Sequence, residues 1–163
     1  MICPFSVQND VMTHSVSPRI AQAIAALPLR PDLRVLEIGC GPGVAARLVS
    51  LALPQGFVLA IDRSEKAIAQ ARSGSAAELV SGRLAFRCVA VEDFVLDPNE
   101  QQFDLAFALR VGALDGRHPE LGHRALGRLK AALTPEGRLH IDDRPPLYAA
   151  ELPDFLDSGP SLP

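Results

Sequence analysis

The sequence has no excess of basic residues: 16 lysines and arginines stand against 19 acids, for a formal net charge of −3. That balance leaves no basic footprint of the kind a nucleic-acid binder carries, so nucleic acid is not an expected partner. There is no apolar run of the roughly eighteen residues that a bilayer-spanning helix requires, and no membrane partner is expected. The first residues, MICPFSVQND, have neither a basic flank nor an apolar segment, so no secretory leader is expected. The three cysteines, Cys3, Cys40 and Cys88, are odd in number and show no Cys-x-x-Cys spacing. This speaks against a disulfide framework or a zinc site, and it makes the cytoplasm the expected compartment. Internal repeats and low-complexity segments are also missing.

What is present is apolar and ordered in pattern. With 48% hydrophobic residues, a chain of 163 is long enough for one domain with a real core, spanning 1–163. Two segments read as less regular: the polar N-terminal arm, 1–16, and the tail, 144–163, where five prolines recur. Between them helices and strands alternate. Ser17-Pro18 reads as a helix start, with Ile20, Ile24 and Leu27 on one face. Strands are expected at 34–38, 57–61, 84–89, 103–109 and 138–142, and helices at 44–53, from Ser64 to near Gly74, and at 120–133. Thr134-Pro135-Glu136-Gly137 reads as a turn. Strands apolar on both faces and separated by helices imply a doubly wound α/β fold, a parallel sheet covered on both sides. A ligand crevice then lies at the carboxyl ends of the strands.

The stretch RVLEIGCGPGVAARLV, residues 34–49, places Gly39, Gly41 and Gly43 between a strand and a helix. Glycines there let the backbone turn sharply and let a ligand approach where a Cβ would collide. The dinucleotide spacing G-x-G-x-x-G would put its third glycine at the position of Val44, so the fit to a nicotinamide cofactor is poor. A tight loop stiffened by Pro42, with Glu37 two residues before the first glycine, suits a ligand carrying an amino group or a positive charge better than a diphosphate.

Five blocks in order resemble class I S-adenosylmethionine-dependent methyltransferases, from about Arg34 to Asp143: VLEIGCGPG, VLAIDRS, VAVEDF, FDLAFALRV and LKAALTPEGRLHI. The resemblance implies a Rossmann-like sheet and S-adenosylmethionine as cofactor. It also implies cofactor contacts from Glu37, Gly39, Gly41, Gly43, Asp62, Arg63, Val91, Glu92, Asp93 and Leu109. Asp62 is the expected ribose ligand, since a carboxylate accepts bonds from two adjacent hydroxyls. Relatives often carry an aspartate at the position of Ala90 to bind the adenine; here that task falls to Glu92, Asp93 or the backbone around Val91, while helix capping or solvent contact is the other reading of those two acids. The residues after the fifth strand are too few for the family's antiparallel hairpin. A five-stranded sheet is therefore expected, its bare edge covered either by the tail through Leu147, Tyr148 and Phe155 or by a second copy in a homodimer.

Methyl transfer is a direct displacement, so the protein's work is orientation and exclusion of water. No residue stands out as a base. The catalytic candidates are Arg110 at the end of the fourth strand, His118 before a helix start, and His14 on a segment that folds over substrate in relatives. Each has a plainer reading: a salt bridge for Arg110, a surface turn for His118 and an arm residue for His14. His123 reads as solvated and His140 as packed within its strand. No metal is expected, because the adjacent Asp142 and Asp143 point to opposite faces of a strand. A small-molecule methyl acceptor accounts for these features; a protein or RNA methyltransferase and a non-catalytic cofactor-binding subunit are the alternatives.

Overall fold

The computed structural model describes residues 16–155. Helix α1 (Pro18–Ala25) starts where the sequence places it, with Ser17 Oγ accepting the Ile20 amide at 3.3 Å. Strand β1 (Arg34–Ile38) leads through the glycines into α2 (Val44–Ala52), which stops before Pro54, a residue with no amide to continue the helix. Strand β2 (Phe57–Asp62) follows, then α3 (Glu65–Ser73), capped by Ser64 Oγ on the Ala67 amide at 3.2 Å. Gly74 ends α3, and a short α4 (Ala76–Val80) follows that the periodicity does not mark. Strand β3 (Leu84–Cys88), a 3-10 turn (Val91–Asp93) and β4 (Phe103–Ala108) come next. A second 3-10 turn (Gly112–Leu114), α5 (Pro119–Ala132), β5 (Leu133–Ile141) and β6 (Leu147–Tyr148) complete the order.

The strand order is β3-β2-β1-β4-β5-β6. The first five strands are parallel; β6 is antiparallel, pairing Tyr148 with Arg138 and Leu147 with Leu139. The sheet thus has six strands rather than five. The reason is local: between Pro146 and the 3-10 turn at Ala149–Glu151 the chain has room for two extended residues, enough for one rung on the bare edge. The expected turn at 134–137 lies inside β5. Leu133 pairs with Phe103 and Arg138 with Leu105, so the intervening residues bulge out of the ladder and the strand resumes beyond them.

The alternation of side chains along each strand fills two cores. Leu36, Ile38, Leu59 and Ile61 face the layer of α5, with Ala125 and Leu129, while Val35, Val58 and Ala60 face α2 and α3, with Ala46, Val49 and Ile68. The tail closes the first layer. Ala149 and Leu152 are buried in it, and Phe155 lies across α5, where a Cβ at Gly127 would sit 2.9 Å from the Phe155 Cα. Arg128 stacks its guanidinium 3.6 Å from the centre of the Phe155 ring, and Lys130 pairs with Asp154 at 2.7 Å. Leu147 and Tyr148 therefore cover the edge as expected, whereas Phe155 covers a helix. Among the described residues no helix is long and apolar enough to cross a membrane.

Candidate functional site

The chain runs outward from β1 in both directions, to β2 and β3 on one side and to β4, β5 and β6 on the other. The loops leaving β1 and β4 therefore part, and a crevice opens between them at the carboxyl ends of the strands. The glycine bend forms one wall. Gly39, Gly41 and Gly43 have φ of 69°, 52° and 77°, a left-handed path that a Cβ would strain. The amides of Gly39 and Cys40 both donate to the carbonyl of Ile61, at 2.8 and 3.0 Å, which ties the bend to the end of β2. A Cβ at Gly39 would sit 2.7 Å from Val111 Cγ2, so the bend packs directly under the loop that leaves β4. A Cβ at Gly41 would meet nothing within 4 Å. The bend is open at Gly41 and closed at its neighbour.

Two carboxylates underlie this opening. Glu37 shares the face of Val35, two residues earlier in β1, and so faces α2, where it is 4% exposed and its Oε2 has no hydrogen-bond partner. Burial pushes its carboxyl up to about 8 and the negative charge of Asp62 adds to the rise; Arg47 and a hydrogen bond from the Ala46 backbone act the other way without offsetting it. Gly43, the N-cap of α2, offers no side chain to that helix's first amides. Asp62 accepts the Gly41 amide on Oδ2 and the Ser64 amide on Oδ1, both at 2.9 Å. Cys40 is held protonated, its thiol pushed up to about 12 by burial and then by Glu37 and Asp62, and is no nucleophile.

The remaining expected residues are spread around the rim. Arg63 is exposed beside Asp62, its carbonyl contacted by Cys88 Sγ at 3.7 Å. Val91 is buried in the core, and Glu92 is half-buried in the same 3-10 turn. Asp93 is turned to α5, where it pairs with Arg124 at 3.0 Å. Leu109 is half-buried against the α2 layer. Arg110 is exposed at the end of β4 and forms no ion pair among the described residues. His118 is the exposed N-cap of α5; His14 lies outside the described residues. His123 is exposed, and His140 is half-buried with its Nε2 unpartnered, burial and Arg138 holding its imidazole below the usual range.

A tie between the ends of β4 and β5 has no counterpart in the motifs of the sequence. Arg110 and Asp142, at the ends of neighbouring strands, both have left-handed backbones, φ 57° and 49°. Asp142 Oδ1 accepts the Arg110 amide at 2.8 Å, and the Asp142 amide donates to the Ala108 carbonyl at 2.9 Å. This exchange fixes the loop that carries Arg110. The tolerance of aspartate for such a backbone is the only sequence signal for it. Past this loop, along β5, lies a groove of about 310 Å³ lined in part by Leu114, His118, His123, Leu126, Ile141, Arg144 and Leu147.

A family model described as a methyltransferase domain matches residues 29–158. The chain is 32% identical over 120 residues to a trans-aconitate 2-methyltransferase of Variovorax paradoxus, covering 74% of this chain and 42% of that protein. It is 31% identical over 137 residues to the protein of the same name from Methylobacterium nodulans, covering 84% and 45%. The chain thus spans less than half the length of these curated relatives. Among solved structures, the [4+2]-cyclase SpnF superposes with a TM-score of 0.61 at 25% identity, over 75% of this chain and 42% of that one. A methyltransferase from Geobacter sulfurreducens, in complex with S-adenosyl-L-homocysteine, shares the fold with a TM-score of 0.60 at 24% identity, over 77% and 48%.

Proposed function

The chain belongs to the methyltransferase-domain family of class I S-adenosylmethionine-dependent proteins, and from that membership we propose that it methylates a small molecule using S-adenosylmethionine. The observation that carries the reading is the opening at Gly41, free of any atom within 4 Å of an added Cβ and underlain by two carboxylates. When bound, S-adenosylmethionine supplies a sulfonium methyl, an electrophile that needs positioning more than activation. Glu37, with a buried oxygen lacking a partner, is left to accept from the positive end of such a ligand, whose charge draws the carboxyl back to its ionised form. Asp62 uses one lone pair on each oxygen for the Gly41 and Ser64 amides and keeps the others for ribose hydroxyls. Gly39 and Gly43 hold the bend's shape, and Arg63, Leu109 and the backbone at Val91 frame it. Glu92 is the acid left for the adenine amino group, since Asp93 is engaged with Arg124. Arg110 offers a cation to a carboxylate at the rim. The relatives named for trans-aconitate support a small-molecule acceptor. The free thiols of Cys40 and Cys88 fit the reducing cytoplasm as its compartment.

Calorimetric titration tests the reading. S-adenosylmethionine and S-adenosylhomocysteine are expected to bind, and NAD is not. Gly41→Ala, which adds a methyl group to the opening at a backbone strain of about 1–2 kcal/mol, is expected to stay folded by circular dichroism and to lose most of this affinity. Binding of NAD alone, or undiminished affinity in a folded Gly41→Ala protein, would overturn it.

A further inference from the structure

The backbone beside the opening at Gly41 is gripped from two sides. Asp62 Oδ2 holds the Gly41 amide at 2.9 Å. The next residue, Pro42, has no amide, so its carbonyl is the only backbone handle it offers. Arg47, near the start of α2, takes that handle. Its Nη1 donates to the Pro42 carbonyl and to Ser75 Oγ, each at 3.1 Å. Ser75 is fully buried, and its hydroxyl donates to the Ala71 carbonyl at 2.6 Å, which ties this second grip to the end of α3. A Cβ at Gly74 would sit 3.2 Å from the same Nη1, so the chain there passes close beside the guanidinium. No carboxylate pairs with Arg47 among the described residues. A cation near the start of a helix also stands at the unfavourable end of the macrodipole. Neither an ion pair nor the helix itself accounts for an arginine at this position.

We propose that Arg47 is a positioning residue for the cofactor: it braces the glycine bend against Ser75, so that the opening at Gly41 keeps its shape, and it sets a positive charge within reach of Glu37. The proposal rests on the reading of the chain as an S-adenosylmethionine-binding methyltransferase. With Asp62 on the Gly41 amide and Arg47 on the Pro42 carbonyl, two consecutive residues of the bend are held by side chains from different elements. A bend so fixed spends less on ordering itself when a ligand arrives. The charge acts separately. The charged or titratable groups facing Glu37 are Asp62 at the end of β2, Cys40 of the bend and Arg47 of α2. Its strand partners, Ala60 in β2 and Phe107 in β4, are apolar, and so are Ala46 and Val49 of α2 and Ile68 and Ala71 of α3 in the same layer. Of the charged groups only Arg47 favours the carboxylate form of Glu37, the form that a cationic ligand needs.

Calorimetry on the full chain tests this with S-adenosylmethionine and S-adenosylhomocysteine, each variant first checked for folding by circular dichroism. Arg47→Met is expected to weaken both ligands about tenfold, as for loss of a hydrogen bond to a charged group. Arg47→Lys should restore most of that affinity, because both bonds come from one nitrogen and an ammonium has three N–H groups to make them with. Ser75→Ala, which keeps the arginine and its charge, should weaken both ligands about threefold. Combining it with Arg47→Met should add nothing, since the two groups act through one strut. The gain in S-adenosylmethionine affinity with rising pH should move to higher pH in Arg47→Met and stay in place in Arg47→Lys and Ser75→Ala. Wild-type affinity in a folded Arg47→Met protein, a loss that lysine does not relieve, additive effects of the two changes, or a pH profile unmoved in Arg47→Met would each overturn the proposal. If Arg47→Met does not fold, Ser75→Ala decides, and wild-type affinity in that variant overturns it. If the wild-type chain binds neither ligand, the methyltransferase reading has failed instead.

Discussion

Glu37 is a liability to the fold until something positive approaches it. Its carboxyl titrates near 8 in the folded chain against 4.5 unfolded. Between those values the unfolded chain has shed a proton that the fold keeps, so the stability Glu37 contributes is whole below about 4.5 and is lost as pH rises to about 8. Glu37→Gln cannot ionise, and the variant is expected to be the more stable ligand-free protein by a few kcal/mol at about pH 9. Thermal melts at acid and alkaline pH check this; parallel curves for the two proteins would contradict it. A cationic ligand acts in the opposite sense, so wild-type affinity for S-adenosylmethionine should strengthen over the same range. Asp62 serves the bend as well as the ligand, because it holds the Gly41 amide. Asp62→Ala should therefore cost about 1.5–3 kcal/mol of binding, as for hydrogen bonds to a charged group, while Asp62→Asn, which keeps an acceptor for Gly41, costs less. Equal calorimetric affinity in all three proteins would remove Asp62 from the site. Both acids were legible because each lies near the carboxyl end of a buried strand, Glu37 within β1 two residues before Gly39 and Asp62 as the last residue of β2. The Arg110–Asp142 exchange was not, since a left-handed backbone at a non-glycine residue leaves no spacing to read.

At the level of elements, the strands with two apolar faces and the capped helices declared themselves, because burial on both sides and a serine before a helix have direct sequence marks. The tail did not. Two extended residues are too few for a period, and their placement comes from partners distant in the chain, Arg138 and Leu139. The bulge at 134–137 looked like a turn between elements because Pro and Gly interrupt a ladder whether or not the strand resumes. The tail's anchor is Leu152, 3% exposed in the α5 layer. Leu152→Ala is expected to lower stability by about 2–4 kcal/mol, measured by chemical denaturation; a change within experimental error would mean that the tail is not part of the core.

At the level of the molecule, the sheet has one edge finished by only two paired residues. A chain ending at Pro146 loses that rung together with the buried Ala149 and Leu152. Sedimentation is expected to show it moving to larger species than the full chain, as uncovered parallel edges recruit other strands. A shortened chain of unchanged size and melting temperature would show that the edge needs no cover. The amides of Gly39 and Cys40 on the Ile61 carbonyl, and that of Gly41 on Asp62, are ties made wholly by the polypeptide. The hollow is thus built during folding and stands ready, so at this point a guest meets a finished socket.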